Sequence, residues 1–164
     1  MSSASWWAGK SRQTWRHLRA RVSRREREAI VPWTTPAELE LFDRMHVADR
    51  RHGLDVVRTL RDQGVTDRDV LVAGLLHDCG KGPTGLVPRI VWSLGERFGP
   101  GVPWIVSWLP GMGVRLMRLR DHATLSAQLA RRARCSDVTI ELIEYQDSPR
   151  DAVGHLLKLA DEAN

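Results

Sequence analysis

Seven residues without a polar side chain, Val70-Leu71-Val72-Ala73-Gly74-Leu75-Leu76, run straight into His77-Asp78. The run is far short of the roughly 20 residues that a membrane-spanning helix needs, so it must find its cover inside the protein. A helix that starts near Thr66 or Asp67 and is apolar on nearly all sides belongs at the centre of a fold, with other helices packed around it. Its end then delivers a histidine and an aspartate into the interior, where such groups are costly without a partner or a cation. An imidazole nitrogen and a carboxylate oxygen are donors that borderline divalent cations take, so the doublet is a candidate metal site. Consecutive helical residues diverge by about 100°, so both side chains reach one ion only where the helix finishes. Gly80 is expected to supply the backbone freedom for that.

The surrounding chain reads as helices separated by breakers, without strand-like alternation, and the predicted fold class is all-α. Thr35 caps a helix with Pro36 at its first position and Glu38 three residues after the cap, a capping-box spacing, and Leu39, Leu41, Phe42 and Met45 form its apolar side. A long helix follows over about 48–63, with Leu54, Val57 and Leu60 at spacings of three, and Gly64 stops it. Residues 82–118 form an insert divided by Pro83, Pro88, Pro100, Pro103 and Pro110 and carrying Trp92, Trp104 and Trp108. Two or three short helices are expected there, over 87–98 and 104–109 among them. Insertions of this length with their own apolar surface usually serve function or are covered by a partner. Helices over about 123–134, 136–145 and 149–160 complete the pattern. A chain of 164 residues fits one domain, read as 36–164 preceded by a basic helical extension over 1–35.

Two further segments share the doublet's chemistry. Asp49-Arg50-Arg51-His52-Gly53-Leu54-Asp55 places a histidine near the start of the long helix, and Leu156-Leu157-Lys158-Leu159-Ala160-Asp161 places an aspartate after an apolar stretch. The order His, His-Asp, Asp resembles the HD-domain superfamily of metal-dependent phosphohydrolases, over roughly residues 40–164. The resemblance implies a compact HD-like helical bundle in which His52, His77, Asp78 and Asp161 are metal ligands and Lys81 is the basic residue after the doublet. Mixed nitrogen and oxygen donors without thiolate favour one Mn²⁺, Fe²⁺, Co²⁺ or Ni²⁺ ion, with Mg²⁺ as an alternative, over a structural zinc. A cation held this way acidifies and orients a water and offsets charge on a phosphoryl oxygen, which makes hydrolysis of a phosphoester the implied reaction. Family analogy suggests a nucleotide as the small phosphorylated substrate.

Asp78 is expected to position the attacking water and Lys81 to stabilise a phosphate oxygen as charge grows on it. Dinuclear members of the superfamily add two histidines between the doublet and the final aspartate. His122 resembles the first, and Gln146 stands where the second is expected. An amide oxygen is the poorer ligand, so a second ion is not expected, and His122 is read as a contact to the substrate phosphate or a proton donor. Arg51, beside the first ligand, and Arg89, early in the insert, are candidate phosphate-binding cations, as is Arg50. His46 is read as structural. The alternative reading, motivated by Gln146, is an impaired HD module that binds a nucleotide or acts as a scaffold or sensor.

The net charge of +5 is concentrated at one end: residues 1–31 hold eight basic side chains and two acidic ones. The remainder is close to neutral, so the basicity says little about the expected catalytic part. Trp6, Trp7 and Trp15 in that segment, with the tryptophans of the insert, raise the question of an anionic membrane surface or a nucleic acid. Packing over the helical core or in a homodimer interface is the preferred reading of these tryptophans. Trp6-Trp7 is too short for the apolar part of a signal peptide, and a cytoplasmic protein is expected. Cys79 and Cys135 have neither zinc-finger nor disulfide-framework spacing, which suits a reducing compartment. Cys79 is read as a small buried residue rather than a thiolate ligand.

Overall fold

The computed structural model describes residues 20–99, 101, 105 and 107–164, and among them it contains nine α-helices, two 3₁₀ turns and no strand. The helices are α1 (Arg24–Ile30), α2 (Pro36–Arg44), α3 (Val47–Asp62), α4 (Arg68–Leu76), α5 (Leu86–Phe98), α6 (Met112–Arg120), α7 (His122–Arg132), α8 (Asp137–Glu144) and α9 (Ala152–Glu162). The 3₁₀ turns are Val31–Trp33 and Cys79–Lys81. The all-α expectation holds for these residues.

Local chemistry sets the boundaries. The Thr35 backbone N–H donates to the Glu38 carboxylate at 2.7 Å, and the Glu38 N–H donates to Thr35 Oγ1 at 3.2 Å, closing the capping box that starts α2. Ser23 and Glu26 repeat the device at α1. His46 caps α3 by accepting from the Ala48 N–H at 3.2 Å, in line with a structural role. Asp151 caps α9, so the last helix begins later than expected and carries Asp161 within its final turn. Pro88 does not interrupt α5, because it falls in the first turn, where a backbone N–H has no helical acceptor to lose. The insert also gains α6, which its prolines do not suggest. The helix expected over 104–109 falls in part outside the described residues. The N-terminal pattern from Ser11, with Trp6, Trp7 and Trp15, lies outside them except for α1.

α4 is the central element. Every side chain from Val70 to Leu76 is buried, and α2, α3, α8 and α9 pack around the helix. Phe42, Leu60, Leu75, Leu76, Ile143 and Leu157 are among the largest fully enclosed side chains, and burial of each contributes roughly 1.5–3 kcal/mol. Ile30 of α1 joins this core, and the Arg27 Nε donates to Asp43 Oδ1 at 2.9 Å, tying α1 to α2. No helix among the described residues is long and apolar enough to cross a membrane.

One contact brings α3 hard against the end of α4. A Cβ added to Gly53 would stand 2.5 Å from the Leu75 carbonyl oxygen, so only a glycine lets the two backbones meet there. His52 precedes this glycine on α3, His77 follows Leu75 by two residues at the cap of α4, and their ring centroids lie 5.2 Å apart. Gly53→Ala should force the helices apart and cost about 1–3 kcal/mol in chemical denaturation, as overpacking does. Gly101→Ala, where an added Cβ meets open space, should leave the midpoint unchanged.

Candidate metal centre

α4 ends at Leu76, His77 caps it in helical geometry, and Asp78 leaves the helix at φ −99°, ψ 5°. The helix therefore finishes at the doublet, and the two side chains share one region. The His77 Nδ1–H donates to the Gly74 carbonyl at 3.0 Å, which leaves Nε2 as the nitrogen available to a ligand. His52 Nε2 lies 2.6 Å from Asp161 Oδ1, and His77 Nε2 lies 3.3 Å from the same oxygen. One ligand atom from each of His52, His77 and Asp161 falls within 4.8 Å of the others, the spacing a single cation requires. α9 holds Asp161 in place from beyond its end as well: the Asn164 amide donates to Thr59 Oγ1 at 2.9 Å and to the Ala160 carbonyl at 2.8 Å, fastening the last turn to α3.

Asp78, expected as a fourth ligand, stands beside this trio rather than within it. Its Oδ1 is 3.6 Å from His77 Nε2 and 3.8 Å from His122 Nε2, and its Oδ2 accepts from Lys81 Nζ at 2.5 Å. The His122 Nδ1–H donates to the Leu119 carbonyl at 2.8 Å, which turns Nε2 toward Asp78. The structure thus brings together His52, His77, Asp78, Lys81, His122 and Asp161 from α3, the end of α4, the following 3₁₀ turn, α7 and α9.

Two atoms at the centre of the group are buried with no hydrogen-bond partner: His77 Nε2 and Asp78 Oδ1. Such orphans cost about 1–3 kcal/mol each and call for an explanation. A divalent cation supplies one, and a set of imidazole nitrogens and carboxylate oxygens without sulfur fits that cation. Cys79 stays outside the set: burial pushes its thiol up to about 12, and its Sγ lies 3.7 Å from the Ser126 carbonyl on α7.

The charged groups of the site shift one another's protonation. Burial disfavours the charged forms of both carboxylates, yet the adjacent imidazoles of His52 and His77 hold Asp161 well below the usual range. Lys81 does the same for Asp78, followed by the imidazoles of His77, His52 and His122. Burial also favours a neutral His77, but the neighbouring Asp78 and Asp161 prevail and raise it to about 9.

Three readings change. Gly80 was expected to relax the backbone after the doublet, but its φ is not positive; Gly82 takes that conformation at +59°. Gly80 instead allows close approach: an added Cβ would sit 2.6 Å from the His122 carbonyl oxygen and from the Ser126 nitrogen, and the Gly80 N–H donates to Ser126 Oγ at 2.8 Å. This contact seats the doublet's turn on α7 and so brings His122 near. Arg51, a candidate phosphate binder, is committed to Glu26 and, at 2.9 Å, to Asp55. Arg89 forks onto buried Asp49 at 2.6 and 2.7 Å and donates to Thr84 at 3.2 Å. Both guanidiniums are thus engaged in holding carboxylates in place. Arg50 keeps a buried Nε without a hydrogen bond.

Asp49 and Gln146 were missed in these roles. Asp49 lies one turn before His52, a helical spacing that puts them on neighbouring positions of one face. Gln146 donates its amide N–H to the His77 carbonyl at 3.2 Å, so it supports the doublet's backbone from α8's end. Scans against protein-family models, curated proteins and solved structures gave no match. The functional reading therefore stands on the site and on the order of its residues. Gln146→Ala should cost about 1–3 kcal/mol in urea denaturation by stranding that carbonyl, while calorimetric titration with Mn²⁺ still counts one ion per chain. His52→Ala and Asp161→Asn should weaken Mn²⁺ by at least about 100-fold, beyond what loss of a supporting contact does.

Proposed function

We propose that this chain is a metal-dependent phosphohydrolase of the HD superfamily, acting on a phosphoester of a small substrate. The observation that carries the reading is the pair of buried, unpartnered atoms His77 Nε2 and Asp78 Oδ1 beside the His52–Asp161 contact. His52, His77 and Asp161 would hold the cation, with Asp78 at its margin. Such a cation acidifies a water and offsets charge on phosphorus-bound oxygens.

The protein's own groups divide the remaining work. Asp78 Oδ1 has no hydrogen-bond partner of its own, and it would orient a nucleophilic water and accept its proton. The Lys81 ammonium spends one donor on Asp78 Oδ2 and keeps two for a phosphoryl oxygen that gains charge. His122 Nε2, 3.8 Å from Asp78 Oδ1, would protonate a leaving oxygen when the ring carries a proton on Nε2 as well as on Nδ1. A nucleotide substrate draws on the superfamily resemblance alone, since the same fold serves many substrates. One ion is proposed, because Gln146 offers only an amide oxygen where a second ion would call for an imidazole.

The presence of Gln146 in place of a histidine motivates a second reading, a module that binds a nucleotide without turning it over. An assay of a nucleotide and phosphomonoester panel with Mn²⁺, Co²⁺ or Ni²⁺ separates the two. Turnover should vanish with chelator and in Asp78→Ala, and Lys81→Ala should lower kcat by about 10²–10³, the loss typical of one oxyanion-stabilising donor. Equal rates in wild type and Asp78→Ala would remove the enzyme, and saturable nucleotide binding without turnover would leave the sensor.

A further inference from the structure

The insert presents apolar side chains that nothing in the described structure covers. Eleven large apolar residues are exposed among the described residues, and seven of them lie between positions 87 and 117. On α5 these are Val87 and Ile90, one turn apart; on α6, Val114 and Met117 at the same spacing. Between the helices Ile105 and Leu109 are exposed, and Trp108 is 78% exposed, so Trp108 does not take the core-packing half of the expectation of core or homodimer interface. α6 buries Leu116 and Leu119 on its inner side, so it is apolar on two sides, a pattern that calls for a second apolar environment.

The charge around this surface selects the environment. Residues 82–120 contain five arginines and one acidic residue. Arg89 and Arg120 are paired with Asp49 and Asp121, but the exposed Arg115 and Arg118 of α6 have no carboxylate partner among the described residues. A second copy of the same cationic surface, or the basic residues 1–31, would set like charges against each other. A nucleic acid would meet the arginines but gain little from valine, isoleucine and methionine. An anionic bilayer accepts both parts: aliphatic side chains and tryptophan at the headgroup boundary, arginines at the lipid phosphates.

We propose that the surface formed by α5, α6 and the exposed residues Ile105, Trp108 and Leu109 docks on an anionic lipid membrane. The apolar residues enter the boundary between headgroups and acyl chains, and Arg115 and Arg118 contact the lipid phosphates. Docking needs no cation in the metal centre, so it stands or falls apart from the proposed hydrolysis.

The test is co-sedimentation of the full chain, with chelator present, with vesicles of phosphatidylcholine alone and of phosphatidylcholine mixed with phosphatidylglycerol. Binding should be confined to the anionic vesicles and weaken as salt is raised. Arg115→Gln with Arg118→Gln should weaken it about 25-fold, since each arginine near such a surface accounts for about fivefold. Trp108→Glu with Met117→Glu should abolish it while the thermal transition by circular dichroism stays in place, because both side chains are exposed. No binding at low salt would overturn the proposal. So would binding that survives the insert variants and is lost in Arg12→Gln with Arg16→Gln, preference for RNA over vesicles, or a dimer that Trp108→Glu dissolves.

Discussion

The backbone contact between α3 and α4 at Gly53 governs the rest of the structure. Helices normally stand 8–10 Å apart because side chains separate them; here a missing Cβ lets α3 reach the Leu75 carbonyl oxygen. The contact sits beside His52 on one helix and two residues before His77 on the other, so it decides how near the imidazoles stand. α9 then packs against both helices and sets Asp161 between the rings. A second glycine contact, Gly80 on α7, performs the same service for Asp78 and His122. Two close approaches thus assemble a site whose members are spread over more than a hundred positions.

Much of this architecture was legible because it is written in local chemistry. The Thr35–Glu38 capping box, the stop after α3 and the finish of α4 at the doublet each depend on neighbouring residues, and each appears where the spacing puts it. The nearness of His52, His77 and Asp161 was anticipated from the order of motifs rather than from any local pattern. What escaped was long-range pairing. Nothing near Arg89 reveals that Asp49, 40 positions earlier, will take its guanidinium, and nothing near Gln146 reveals the His77 carbonyl 69 positions away. Gly80 was misread for a related reason: a glycine needed for space and one needed for a left-handed turn look alike until the neighbouring helix is in place.

Electrostatically, the centre sets two carboxylates against Lys81 and the imidazoles, around two enclosed atoms that lack hydrogen bonds. Two carboxylates stay ionised against the pull of burial, and the nearby imidazoles and Lys81 lean toward them. Lys81 neutralises only Asp78, and His77 and Asp78 each keep an unsatisfied atom. An ordinary structural network closes its hydrogen bonds at such depth. This one leaves them open and pointed at one another, the arrangement expected of groups that await a ligand.

The Asp49–Arg89 fork joins the insert to the helix that carries His52. Asp49 is buried and sits in the first turn of α3, so the pair acts as a strut between α5 and the base of the centre. A force that tilts α5 would be delivered to α3 one turn from the imidazole. If the outer surface and the inner centre each have two arrangements of this strut, their affinities are linked, and linkage runs equally in both directions. Contact at the periphery would then tune ion retention, and loading of the ion would tune adhesion.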